Sequence, residues 1–223
     1  MPKRAPCFVK ATGSRSSRLW VEGSAMDVKA DPRAALRAAT VAIIGCGGLG
    51  SNVASMLVRS GVGTLRLIDY DRVEEDNLNR QLFFREDIGR LKTEALADTL
   101  RRITPEVTLI EVVARVDAEN ILGLVAGADV IVEAVDGAAD KAMIVNACST
   151  GLPDVPLVTA SGLAGSGSAN EIVSERIADN VYLVGDLASD VRDGLPLFAS
   201  RVMAAAAHEA HVVIRVLLGY CEP

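Results

Sequence analysis

Histidine is almost missing from this chain of 223 residues: only His208 and His211 occur, both in one stretch near the C-terminus. At that helical spacing they read as surface or packing residues, so chemistry that needs a histidine base is not expected here. The four cysteines, Cys7, Cys46, Cys148 and Cys221, lie far apart and form no CxxC. That suggests neither a disulfide framework nor a paired-thiolate zinc site, and no zinc is expected. No run of about 18 uninterrupted apolar residues occurs, so no membrane span is expected. The start is basic, but no apolar core follows it, so a secretory leader is not expected and a cytoplasmic location is. Positive charge is also short overall. The net charge of -6 argues against a general DNA, nucleic-acid or anionic-membrane binder. The exception is local: residues 1–20 hold Lys3, Arg4, Lys10, Arg15 and Arg18 and no acid.

Half of the residues are hydrophobic, which is enough for a substantial core. Residues 1–30 lack periodicity and read as a basic N-terminal arm; residues 31–223 read as a single domain. "DPRAALRAA" reads as a short helix with Asp31 as its cap and Pro32 in its first turn. Five apolar runs, "TVAIIG", "TLRLID", "VTLIEVVA", "ADVIVEAV" and "VPLVTAS", read as strands, with helical segments between them. That alternation predicts an α/β fold, a Rossmann-like doubly wound and mostly parallel sheet. From about residue 161 the pattern changes. A glycine-rich stretch with one alternating apolar segment suggests hairpin strands, an antiparallel extension of the sheet. "GDLASDVRDGLP" is an acidic loop, and "LFASRVMAAAAHEAHVVIRVLLG" a long closing helix.

"IIGCGGLGS" follows the first strand and opens a helix. It matches G-x-G-x-x-G as Gly45, Gly47 and Gly50, with Gly48 inside the turn. Glycines let the backbone approach a phosphate, and the helix N-terminus supplies free N–H groups and positive potential. Cys46 within the turn reads as a small packing residue. Asp69 ends the second strand, where such a fold places the acid that holds ribose hydroxyls. These residues alone fit NAD or ATP equally.

The next stretch, "DYDRVEEDNLNRQ", suits no dehydrogenase. Transfer at a phosphate needs positive charge and alignment instead. Arg80 offers a fork of donors matched to phosphate oxygens, and Asn77 and Asn79 can orient it. Lys92 begins the next predicted helix and is a second cation at the same edge. Asp136 ends the fourth strand in "EAVDGAADK" and suits a magnesium ion, which takes carboxylate oxygen and keeps water. Asp69, Arg80, Lys92 and Asp136 therefore converge on the carboxyl edge of the sheet.

Taken together, "GCGGLGSNVASMLVRSGVGTLRLIDYDRVEEDNLNRQLFFREDIGRLKTEAL", "RITPEV" and "EAVDGAADKAMIVNAC" resemble the ThiF/MoeB/HesA branch of the ubiquitin-activating-enzyme superfamily. The resemblance is strong over about residues 35–160, and the tail is similar to short members without zinc. It implies binding of ATP and Mg2+ and adenylation of the C-terminal glycine of a ThiS-like ubiquitin-fold sulfur carrier, as in thiamine thiazole biosynthesis. It implies ribose contacts from Asp69, phosphate contacts from Arg80 and Lys92, magnesium at Asp136, and Asn77 in the phosphate-side network. Asp71 caps the following turn or joins the nucleotide site. A homodimer is implied, in which Arg15 or Arg18 could reach the partner's ATP. Two departures carry consequences. Gly137 stands where the family usually has asparagine after the magnesium aspartate. No cysteine lies between Cys148 and Cys221, so adenylation without a covalent thioester step is expected. The alternatives are adenylation of a small molecule, a peptide or a tRNA base, and a non-catalytic nucleotide- or carrier-binding module.

Overall fold

The computed structural model describes residues 31–190 and 193–223; the basic arm, with Arg15 and Arg18, lies outside them. Asp31 caps α1 (Pro32–Ala38) as its position predicts, its Oδ1 accepting from the N–H groups of Arg33 and Ala34 at 3.0 and 3.1 Å. Five parallel strands follow: β1 (Thr40–Ile44), β2 (Thr64–Ile68), β3 (Thr108–Val112), β4 (Val130–Glu133) and β5 (Leu157–Ala160). Between them run α2 (Gly48–Arg59), α3 (Lys92–Ile103), α4 (Ile121–Leu124) and α5 (Ala138–Gly151). β1 and β4 are apolar along almost their whole length because both faces are covered.

The sheet order is β3-β2-β1-β4-β5-β7-β6. The C-terminal extension ends the sheet in an antiparallel pair, as the change of pattern near residue 161 suggests. β7 (Val181–Gly185) returns to pair in parallel with β5, and only β6 (Val173–Ala178), beyond it at the edge, is antiparallel. "VYLVG" carries the same apolar pattern as an interior parallel strand, and burial on both sides is what it receives.

α1, α2, α3 and the long α6 (Ala199–Leu217) cover one face; α4 and α5 cover the other. α6 packs along α2, with Val202, Ala205, Ala206, Ala210 and Val213 buried. The alanines allow that close approach. Its first turn is pinned by Arg201, which is buried. Arg201 donates to the carbonyls of Gly167 and Ser168 and pairs with Asp186, which follows β7. Burial works to raise the Asp186 pKa, but the N–H groups of Ser189 and Ala188 and the Arg201 guanidinium bring it down to about 2. The pin fixes the connection from β7 into α6. No helix among the described residues is long and apolar enough to cross a membrane.

Candidate functional site

The chain leaves β1 in one direction, through α2 to β2 and β3, then crosses back to β4 on the other side of β1. That reversal opens a crevice at the carboxyl ends of β1 and β4, the place where open α/β sheets bind ligands. The glycine turn fills its floor. Gly45 has φ +92°, and a Cβ there would lie 2.7 Å from the Ala134 carbonyl oxygen. Only glycine lets the ends of β1 and β4 come this close. At Gly50 a Cβ would fall 1.8 Å from the Gly45 oxygen, so the first turn of α2 can fold back onto the strand only without a side chain. The start of α2 therefore aims its unpaired N–H groups into the crevice.

Asp69 lies directly after β2 and is locked to the turn. Its Oδ2 accepts from the Cys46 N–H at 2.6 Å and its Oδ1 from the Asp71 N–H at 2.8 Å. Each oxygen keeps a second lone pair, so a ribose hydroxyl can still donate to it. Cys46 is fully buried, and burial first, with the Asp69 carboxylate second, pushes its thiol well above the usual range. It is a packing residue in an acid-lined turn, not a thiolate.

Arg80 also reaches the turn: its Cγ is 3.5 Å from where a Cβ of Gly48 would stand. Its guanidinium donates to the Asp76 carbonyl at 3.1 Å and to Asn79 Oδ1 at 2.7 Å, so Asn79 orients it. Two residues inside α2 hold this loop in place. Asn52 Nδ2 donates to both the Gly48 and Arg80 carbonyls, and Ser51 Oγ accepts from the Leu82 N–H. Sequence reasoning missed both, although "GSN" directly after the glycine motif was the available signal. Gln81 was missed as well. Its amide nitrogen lies 3.7 Å from the Cβ position of Gly47, and its buried Oε1 has no hydrogen-bond partner among the described residues.

Asn77 holds its own loop through its side-chain oxygen, which leaves its amide N–H groups as donors. Its Oδ1 accepts from the Glu74 N–H and closes the short turn Glu75–Asn77. Asp71 and Lys92 form a pair: Nζ to Oδ2 is 2.8 Å, beside a backbone bond from Lys92 N to the Asp71 carbonyl and a bridge between Arg72 and Leu91. Asp71 therefore serves Lys92 instead of merely capping a turn. Lys92 is 7% exposed at the first position of α3. An ammonium carries three donors, so this pair leaves capacity for a phosphate oxygen.

Asp136 lies in the loop between β4 and α5, two residues beyond the Ala134 carbonyl that abuts Gly45. It is exposed, and its side chain has no hydrogen bond or ion pair among the described residues. Its loop is braced from below. Glu133, fully buried at the end of β4, accepts from Lys141 Nζ of α5, from Thr159 Oγ1 of β5 and from the Val135 N–H. Among the described residues no group of three or more His, Cys, Asp or Glu could hold a metal. The donor set at Asp136 is one carboxylate. That fits a magnesium ion which takes its other oxygens from phosphates and water. The glycine turn is thus contacted by Asp69 and Arg80, with the Asp71–Lys92 pair two residues further along the Asp69 loop and Asp136 on the loop that follows Ala134.

The ThiF family pattern matches residues 22–220. The sulfur carrier protein ThiS adenylyltransferase of Escherichia coli is 37% identical over 142 residues, 63% of this chain and 56% of that protein. Two E. coli structures align across most of the chain. The tRNA N6-threonylcarbamoyladenosine dehydratase TcdA in complex with ATP has a TM-score of 0.76 at 22% identity, over 84% of this chain and 88% of that one. MccB with ATP has a TM-score of 0.69 at 27% identity, over 86% of this chain and 59% of that one. The chain spans about half the length of the curated relatives it matches, or less. A family match over nearly the whole chain, on a crevice assembled from that family's own motif, leads to one conclusion: the chain belongs to the ThiF family.

Proposed function

We propose that this chain is an adenylyltransferase. It binds ATP and joins AMP to the C-terminal glycine carboxylate of a ThiS-like, ubiquitin-fold sulfur carrier, releasing pyrophosphate. The observation that carries the reading is the convergence of the α2 N-terminus, Asp69 and Arg80 on one turn. The α2 amides cradle the phosphates. Asp69 holds the ribose, and Arg80, steered by Asn79, neutralises charge that builds on the phosphoryl oxygens. Lys92, held by Asp71, does the same from the β2 side. Asp136 would hold magnesium, which when bound screens the phosphate oxygens from the incoming anion. The acceptor is a carboxylate with an ordinary pKa of about 3.5, already ionised at neutral pH. No proton acceptor is needed, in keeping with a crevice built without histidine. Positioning and charge neutralisation do the catalysis. Residues 31–223 form the catalytic domain in this reading, the chain works as a homodimer, and thiazole assembly for thiamine is the pathway it serves.

The ATP-bound relatives support the nucleotide, and the ThiS enzyme supports the acceptor. The fold shared with a tRNA-modifying enzyme favours a second reading, adenylation of a carboxylate on a modified tRNA base. The test is capture of the acyl adenylate. Protein, ATP, magnesium and hydroxylamine are mixed with a carrier ending in Gly-Gly, and the carrier hydroxamate is sought by mass spectrometry. Hydroxamate that is absent with Arg80→Ala supports the main reading. AMP release that requires tRNA and ignores the carrier supports the second.

A further inference from the structure

Behind the Asp136 loop lies a charge that the nucleotide reading does not use. β4 is apolar from Val130 to Val132 and then ends on Glu133, which is fully buried. A buried carboxylate is costly, and an apolar side chain of similar size often serves a core as well. Three donors meet this one. Its Oε1 accepts from the Val135 N–H at 2.8 Å, and its Oε2 accepts from Lys141 Nζ and Thr159 Oγ1, both at 2.5 Å. Val135 stands directly before Asp136, and Lys141 follows it in α5. One carboxylate therefore grips the chain on both sides of Asp136, and Thr159 ties that grip to the adjacent strand β5. Asp136 itself is exposed and has no hydrogen bond or ion pair among the described residues, so its place is set by the backbone on either side.

We infer that Glu133 is a positioning residue for the metal-side carboxylate: through Val135 and Lys141 it holds Asp136 where a divalent cation on the phosphates can reach it. This rests on the nucleotide and magnesium reading above. Glu133 touches neither the nucleotide nor the cation in that reading. It acts on Asp136 alone, as the partners behind a metal ligand do when they fix its orientation. The ribose acid and the α2 amides lie on other elements and do not depend on it.

The test uses the full chain, with Mn2+ as the probe for a divalent cation. Electron paramagnetic resonance measures the Mn2+ affinity of the protein–ATP complex. Competition against a fluorescent ATP analogue in EDTA measures ATP affinity without metal. Glu133→Gln sets an amide donor among donors, and Lys141→Met removes the cation from the α5 side. Each variant weakens Mn2+ about tenfold and leaves metal-free ATP affinity within about twofold of wild type. Lys141→Arg, which keeps the cation, recovers Mn2+ affinity to within about threefold of wild type. Should Glu133→Gln fail to fold, Lys141→Met decides, since its side chain is 23% exposed and its loss leaves no cavity open to the core. Mn2+ affinity within about twofold of wild type in the folded variants overturns the inference. So does an equal loss of metal-free ATP binding, which a general loosening of the fold would give. Mn2+ affinity unchanged by Asp136→Ala overturns the magnesium reading itself, a separate and recognisable failure.

Discussion

Glu209 sits at the centre of the buried stripe of α6, with no exposed surface and, among the described residues, no hydrogen-bond partner on either carboxyl oxygen. Burial lifts its pKa from the usual 4.5 to about 8; Lys141 pulls it down somewhat and Glu133 pushes it up. At neutral pH the folded chain therefore holds Glu209 protonated, while the unfolded chain ionises it. The proton is bound more tightly in the folded state, so its contribution to stability is fully present below pH 4.5. That advantage is lost as pH rises towards 8, where the slope ends. At pH 7 the span is two and a half units, or about 3 kcal/mol at about 1.4 kcal/mol per unit, as an upper bound. Glu209→Gln keeps the shape and removes the titration. It should stabilise the protein at pH 7 by up to about 3 kcal/mol, about 6–12 °C in melting temperature for a chain of this size. Near pH 4.5 it should change little. The assay is thermal and urea unfolding of both proteins from pH 4.5 to 8.5. A Gln variant less stable than wild type at pH 8, or a pH slope equal to wild type, refutes the reasoning. Either would mean that Glu209 is charged and paired.

Three further outcomes follow from the site. Asn52→Ala frees the Arg80 loop from α2; it should cost about 1 kcal/mol of stability and raise the KM for ATP several-fold, as steady-state kinetics will show. Gly50→Ala drives a methyl group into the Gly45 carbonyl and should abolish ATP binding with a marked drop in melting temperature; an unaffected variant would mean that the turn is looser than described. Cys46 and Cys148 are buried with raised pKa values, Cys148 to about 11, so iodoacetamide should label neither until the chain is unfolded in urea.

What could be read from the sequence was what local rules govern. Asp31 caps α1 because a short oxygen-bearing side chain before a proline has little else to do. The glycine turn and Asp69 were legible because a strand, a turn and a helix lie in one continuous stretch. The fate of Asp71 was not, because its pairing with Lys92 depends on a fold-back across 21 residues. For Asn77 the motif suggested a place in the phosphate-side network; that its oxygen also closes a turn shows only in the folded loop. β7 escaped because the return beside β5 is a matter of topology, and "VYLVG" fits either direction. Glu209 stood in plain view within an alanine-rich helix. A carboxylate at the middle of an apolar stripe was the available signal, and only packing shows that it is sealed in.

The central claim is that the crevice transfers AMP to an ionised chain end. Exchange of labelled pyrophosphate into ATP, with magnesium and a Gly-Gly-ended carrier, measures that step alone. The account predicts exchange that requires the carrier and falls at least about a hundredfold with Arg80→Ala or Asp136→Ala. Exchange at wild-type rates in both variants, or ATP binding without exchange for any acceptor, would contradict it.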